Sequence, residues 1–217
     1  MHPSDVGQGI NWAEIEKLLD EPKVVAIGEV GIDLYHQDNL EEQLEALESF
    51  IGLAREKNLP VVFHVRNSNP PPPPPLSRRG DESYSLDKGR IGGVWNAHDE
   101  MIKFLQDHNW NRGVIHTFSG TKAQAEQYLE MGLYLSFSGV VTFKNAGEIL
   151  EVAKTMPLDK MLIETDCPFL SPEPFRGKRN EPAYVKYVAE KIAEVRGISF
   201  DEVARATEEN TRKLFLL

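Results

Sequence analysis

Four short apolar runs in this 217-residue chain each lead to a side chain that binds protons or metal ions, and that recurrence constrains the fold more than any other feature. Residues 24–28 reach Glu29, residues 60–65 carry His64, residues 113–117 carry His116, and residues 161–166 end on Asp166. A run of four or five β-branched or aliphatic residues bounded by turn residues reads as a strand covered on both faces, as in a parallel sheet flanked by helices. Each ligand-type residue is then expected at the C-terminal end of its strand. Open α/β sheets and (β/α)8 barrels carry their chemistry at that end, because the loops leaving the strands converge there.

The segments between these runs have helical spacing. Asn11 with Glu14 three residues on predicts a helix start, with Ile15, Leu18 and Leu19 on one face and Pro22 as its stop. Asp38 or Asn39 can cap a longer helix carrying Leu40, Leu44, Leu47, Ile51 and Ala54, ended by Asn58. Residues 96–108 repeat the pattern with Met101, Ile102 and Leu105. Thr121 with Gln124 and Ser199 with Glu202 have capping-box spacing for two more helices. Between them, Pro182 suits a first helical turn and Gly197 a helix end. Residues 133–138 with 140–143 read as a strand running into a loop, and 146–156 as a short helix. Strand and helix alternate throughout, which predicts parallel βαβ units in one domain over residues 1–217. The exception is residues 68–95, where six consecutive prolines and a glycine-rich stretch predict a disordered insertion.

The formal net charge of -10 excludes a protein that grips polyanions by bulk electrostatics, so any nucleic-acid contact must be local. The single cysteine, Cys167, has no partner for an internal disulfide and reads as a small buried filler. No stretch of about twenty apolar residues is present, so the expected setting is reducing and cytoplasmic, with no membrane partner.

Carboxylates and imidazoles on separate strand ends suit a hydrolytic metal site better than a structural one, which tends to be cysteine-rich. Mixed nitrogen and oxygen donors accommodate Zn, Mn or Mg. Glu29 can bridge two ions, with His64 and His116 holding one and Asp166 facing the other. Asp166 is also placed to orient or deprotonate a water, and Glu164, two residues earlier on the same strand face, can either reach the site as a second catalytic carboxylate or form a structural carboxylate pair. Arg66, two residues beyond His64, and the basic loop of Arg176, Lys178 and Arg179 are candidates for holding a phosphate. His36, His98 and His108 lie in loop or helix surroundings and are expected at the surface.

Several of these stretches resemble the signatures of the TatD-type metal-dependent deoxyribonucleases. They are Ala26-Ile27-Gly28-Glu29-Val30-Gly31-Ile32-Asp33, Pro60-Val61-Val62-Phe63-His64-Val65-Arg66, Val114-Ile115-His116-Thr117-Phe118-Ser119-Gly120, Ser138-Gly139-Val140-Val141-Thr142-Phe143-Lys144-Asn145-Ala146 and Ile163-Glu164-Thr165-Asp166-Cys167-Pro168, followed by Arg176-Gly177-Lys178-Arg179-Asn180-Glu181-Pro182. The resemblance implies a TIM-barrel hydrolase of the amidohydrolase type that uses divalent metal ions and cleaves DNA phosphodiester bonds as an exonuclease, on a single strand or an end. It places Glu29, His64, His116 and Asp166 at metal positions.

Family members begin with a strand bearing a His-x-His pair, which has no counterpart in this chain, and the His2-Pro3 start looks like the loop after the third strand. The resemblance therefore implies an incomplete barrel holding strands four to eight, with one ion where a full-length form would hold two. Open sheet edges would favour association. Two other functions fit the same residues: hydrolysis of another ester, such as deacylation of aminoacyl-tRNA, and a non-catalytic remnant that binds a partner along its open edges.

Overall fold

The computed structural model describes residues 2–36, 39–68, 90–91 and 94–217. Most of the proline-rich stretch, and with it the expected insertion at 68–95, lies outside the described residues. Strands β1 (Ile27–Asp33), β2 (Val61–Arg66), β5 (Gly113–Ile115), β6 (Tyr134–Phe137) and β7 (Met161–Ile163) form one sheet in that order. All four pairings are parallel. The short β3 (Arg90–Ile91) and β4 (Val94–Trp95) pair antiparallel with each other.

Helices α1 (Trp12–Leu19), α2 (Leu40–Glu56), α3 (Ala97–Asp107), α4 (Lys122–Glu130), α5 (Gly147–Thr155), α6 (Val185–Arg196) and α7 (Phe200–Phe215) supply the covering layer. Helix α2 packs on β1, α3 on β2, α4 on β6 and α7 on β7. Leu47, Phe50, Ile51 and Ala54 project from α2 into the main core, beside Ile32, Val61, Phe63, Ile115, Leu135 and Phe137 from the strands. Full burial of such aliphatic or aromatic side chains contributes about 1.5–3 kcal/mol each. The alternate strand residues Val62, Val114, Tyr134 and Leu162 belong to a second, smaller cluster with Leu214 and Phe215 of α7. The period-two alternation of strands thus puts apolar residues on both sheet faces, as a parallel sheet requires.

The capping predictions are met unevenly. Thr121 and Gln124 form a reciprocal capping box. Ser199 accepts from the Glu202 N–H without the return bond, and Asn39 makes no side-chain cap. Residues 140–142, expected to extend a strand, form part of a 3-10 helix at Gly139–Thr142. No described helix is long and apolar enough to cross a membrane.

The first strand differs most from expectation. It begins at Ile27 rather than residue 24 and runs on to Asp33, so Glu29 sits inside it rather than at its end. The register with β2 shifts between Gly28 and Val30, a bulge that leaves Glu29 without a partner residue and re-aims its side chain. At Gly31, φ is +149°, and a Cβ would stand 2.0 Å from the His64 carbonyl oxygen. Only glycine lets β1 approach β2 this closely, directly beside His64.

Candidate metal centre

Parallel pairing carries the four predicted side chains to one end of the sheet. Glu29 is presented by the bulge in β1, and His64 lies near the end of β2. His116 immediately follows β5, and Asp166 lies three residues after β7. His64 Nδ1 is 2.5 Å from Glu29 Oε2. His116 Nε2 lies 3.7 Å from Glu29 Oε1 and 3.3 Å from Asp166 Oδ1. Glu29, His64 and His116 each offer a donor atom within 4.8 Å of the others, and Asp166 joins them through the same edge of His116. Two imidazoles with carboxylates and no thiolate make a donor set that fits a divalent ion.

Behind each imidazole stands another carboxylate. Glu164, read either as a second catalytic group or as a structural carboxylate, turns toward the far nitrogen of His116, with Nδ1 at 2.9 Å from its Oε1. The same oxygen accepts from the Thr117 N–H at 2.9 Å and from the Thr117 hydroxyl, while Oε2 accepts from the Ser136 hydroxyl at 2.6 Å. Its oxygens are committed to neighbouring protein groups, which holds it against His116. Thr117 adopts φ +42°, a conformation that a β-branched residue rarely takes, and its N–H points at Glu164.

Asp33 does the corresponding work for His64, whose Nε2 is 3.2 Å from Asp33 Oδ2. Sequence reasoning passed over Asp33, although it closes the first quoted motif and shares strand parity with Gly31 and Glu29. His2 was missed as well, its surroundings carrying no periodic pattern. The Nε2 of His2 lies 3.9 Å from Glu29 Oε2 and 4.0 Å from Asp33 Oδ2, and its ring packs edge-on against His64 with centroids 4.3 Å apart. His2, Asp33 and His64 form a second donor group within 4.8 Å.

The electrostatics follow from these contacts. Burial alone would lower the pKa of His116. Its hydrogen bonds to Asp166 and Glu164, with the charges of Glu164 and Glu29, outweigh burial and raise it to about 10. Burial likewise opposes charge on His64, and its bonds to Asp33 and Glu29 win, so its pKa rises. For Glu29, Asp33 and Glu164, burial favours the neutral acid, but their imidazole neighbours lead the hydrogen bonds and charges that hold all three below the ordinary carboxylate range.

The other expectations divide. Asp166 adopts φ +59° at the head of a loop that Asn180 fastens. The buried Asn180 amide donates to the carbonyls of Thr165 at 2.7 Å and Phe169 at 2.6 Å. Lys178 and Arg179 are exposed in that loop, and the Arg176 guanidinium lies 3.5 Å over the Phe143 ring. Arg66 is exposed, its guanidinium 4.1 Å over the Tyr35 ring.

Cys167 is exposed, because the turn after Asp166 carries it away from the core, and it does not serve as a buried filler. His36 is exposed as expected, yet its Nδ1 reaches Asp33 Oδ2 at 2.7 Å. His108 is half-buried and stacked on Phe104. His98 contradicts its surface placement outright. It is fully buried, with Nδ1 3.1 Å from the Tyr128 hydroxyl and Nε2 3.3 Å from the Ser119 hydroxyl. Burial, followed by the charge of His64, lowers its pKa to about 3.

With this geometry established, comparison with known proteins gives a consistent result. A family model described as TatD related DNase matches residues 1–216. The metal-dependent hydrolase YabD of Bacillus subtilis is 42% identical over 220 residues, covering 99% of this chain and 74% of the relative. The metal-dependent hydrolase YcfH of Escherichia coli is 34% identical over 216 residues, covering 99% and 71%. The crystal structure of YjjV, a TatD homologue from Escherichia coli, superposes with a TM-score of 0.82 at 28% identity, covering 100% of this chain and 75% of that one.

Proposed function

We propose, from the premise that this chain belongs to the TatD-related DNase family of metal-dependent hydrolases, that it cleaves phosphodiester bonds in DNA at the sheet end where Glu29, His64, His116 and Asp166 meet. The supporting observation is the convergence of those four side chains, with each histidine backed by a second carboxylate. Glu29, His64 and His116 are assigned to hold a divalent ion, Mg, Mn or Zn. When bound, such an ion supplies Lewis-acid polarisation of a phosphoryl oxygen and lowers the pKa of nearby water.

The chain's own residues complete the assignment. Asp166 accepts the proton of the attacking water, its Oδ1 lying on the ligand edge of His116. Glu164 is a positioning residue that keeps the proton of His116 on Nδ1 and leaves Nε2 free as a donor to the ion. Arg66 from the end of β2, with Lys178 and Arg179 from the loop after β7, contact phosphates of a single strand or a DNA end. Such local cations are needed in a chain of net charge -10. A reducing, cytoplasmic setting belongs to the same proposal and rests on the single Cys167.

The experiment compares wild type and Glu29→Ala on single-stranded DNA, duplex DNA and an aminoacyl-ester substrate, each with Mg, Mn or Zn added to chelator-treated protein. The reading expects metal-dependent DNA cleavage that Glu29→Ala abolishes. Turnover of the aminoacyl ester alone would replace the substrate, and no turnover with any metal would favour a non-catalytic, partner-binding role.

A further inference from the structure

The two candidate donor groups share His64, and a neutral imidazole has a single lone pair for a metal. An ion held by Glu29, His64 and His116 would take His64 Nδ1, the atom 2.5 Å from Glu29. An ion held by His2, Asp33 and His64 would take Nε2, the atom 3.2 Å from Asp33. Which nitrogen keeps its proton therefore decides where the ion sits.

The surroundings of Asp33 bear on the choice. A carboxylate offers about four lone-pair sites. Asp33 Oδ1 accepts from the Tyr35 N–H at 2.8 Å and the His36 N–H at 3.0 Å. Oδ2 meets His36 Nδ1 at 2.7 Å and His64 Nε2 at 3.2 Å. The side chain is fully buried. Its backbone is fixed too, because the Gln43 amide accepts from the Asp33 N–H at 2.7 Å and donates to the Asp33 carbonyl at 3.2 Å. Oδ1 is thus taken by two backbone donors and Oδ2 faces two imidazoles in a fully buried position, whereas Glu29 is 32% exposed and only its Oε2 meets His64.

We propose that Asp33 is not a metal ligand but a positioning residue: it holds the proton of His64 on Nε2, presents the Nδ1 lone pair toward Glu29, and so confines the ion to the Glu29, His64 and His116 group. The pair mirrors Glu164 and His116 with the ring nitrogens exchanged, Nδ1 toward the ion in one imidazole and Nε2 in the other. This inference rests on the metal-centre reading above and adds a residue and a tautomer to it. Changing Asp33 to Asn reverses the polarity of the contact, since an amide N–H facing His64 Nε2 stabilises the tautomer with its proton on Nδ1.

The test is nitrogen NMR of histidine-labelled, Zn-loaded wild type, which identifies the coordinating nitrogen of His64 and needs no variant to fold. It is paired with Zn titrations of wild type, Asp33→Asn and His2→Ala. Expected are coordination through Nδ1 with a proton on Nε2, a loss of Zn affinity of roughly 10–100-fold in Asp33→Asn, and a change within about threefold in His2→Ala. Coordination through Nε2, a loss in His2→Ala as large as in Asp33→Asn, or an Asp33→Asn protein that binds Zn like wild type overturns the inference while leaving a metal protein. Absence of Zn binding by wild type overturns the metal-centre reading along with it.

Discussion

His98 and His116 are both largely buried, both lie in the half of the chain that follows the proline-rich stretch, and they behave in opposite ways. His98 is met by two hydroxyls, from Tyr128 and Ser119, and its pKa is pushed down to about 3. His116 is met by the carboxylates of Glu164 and Asp166, and its pKa is pushed up to about 10. Burial opposes charge at both positions, so the difference lies in the partners. A histidine backed by carboxylates is equipped to hold a positive charge, from a proton or a metal ion, whereas one backed by hydroxyls is a packing group that must stay neutral.

The comparison can be broken at several points. Glu29→Ala, which removes a candidate donor from the group containing His116, is expected to lower the proposed metal-dependent DNA cleavage by more than the roughly 10–100-fold typical of losing a supporting carboxylate. Single-turnover assays at saturating metal measure it. Glu164→Gln removes only the support behind His116, so metal affinity should fall within that roughly 10–100-fold range while the metal-free fold persists. Calorimetric titration and a thermal melt give the two readings.

His98 predicts a pH effect of the opposite kind. Its folded pKa lies below the unfolded value of 6.5, so the unfolded chain binds more protons in acid. Its contribution to stability is complete above about pH 6.5 and declines toward pH 3, by about 1.4 kcal/mol per unit, or roughly 2 kcal/mol by pH 5. Denaturant titrations of wild type and His98→Gln at pH 7.5 and pH 5 should converge by about that amount as the pH falls. Parallel curves would contradict it. Removing Arg66 and Arg179 together should have the smallest effect on the metal centre. Metal affinity should be unchanged, while the proposed DNA binding should weaken and its salt dependence become shallower by about one unit of slope for each phosphate no longer neutralised.

The sequence disclosed this site unevenly, for physical reasons. The convergence of His64, His116 and Asp166 at one sheet end was legible because β2, β5 and β7 are uninterrupted apolar runs, and a parallel sheet brings the ends of such runs together. The first strand was harder to read. Val24 and Val25 look like its start, yet the pairing segment is the glycine-containing stretch Ile27–Asp33, whose bulge at Glu29 depends on contact with β2 rather than on local pattern. Asp33 was hidden by that displacement.

The burial of His98 was legible but passed over. It lies three and four residues before Met101 and Ile102, on the apolar face of α3. What no periodicity revealed is the chemistry of its partners, Ser119 and Tyr128, which arrive from more than twenty residues away. His2 reaches the site only through the tertiary fold of a segment without repeating pattern.

The most direct test sets the two histidines side by side: Mn titration of chelator-treated wild type, His116→Ala and His98→Gln, followed calorimetrically at one pH. The account predicts that wild type and His98→Gln bind Mn alike and that His116→Ala loses binding. Equal binding by all three proteins, or loss in His98→Gln with retention in His116→Ala, would contradict it.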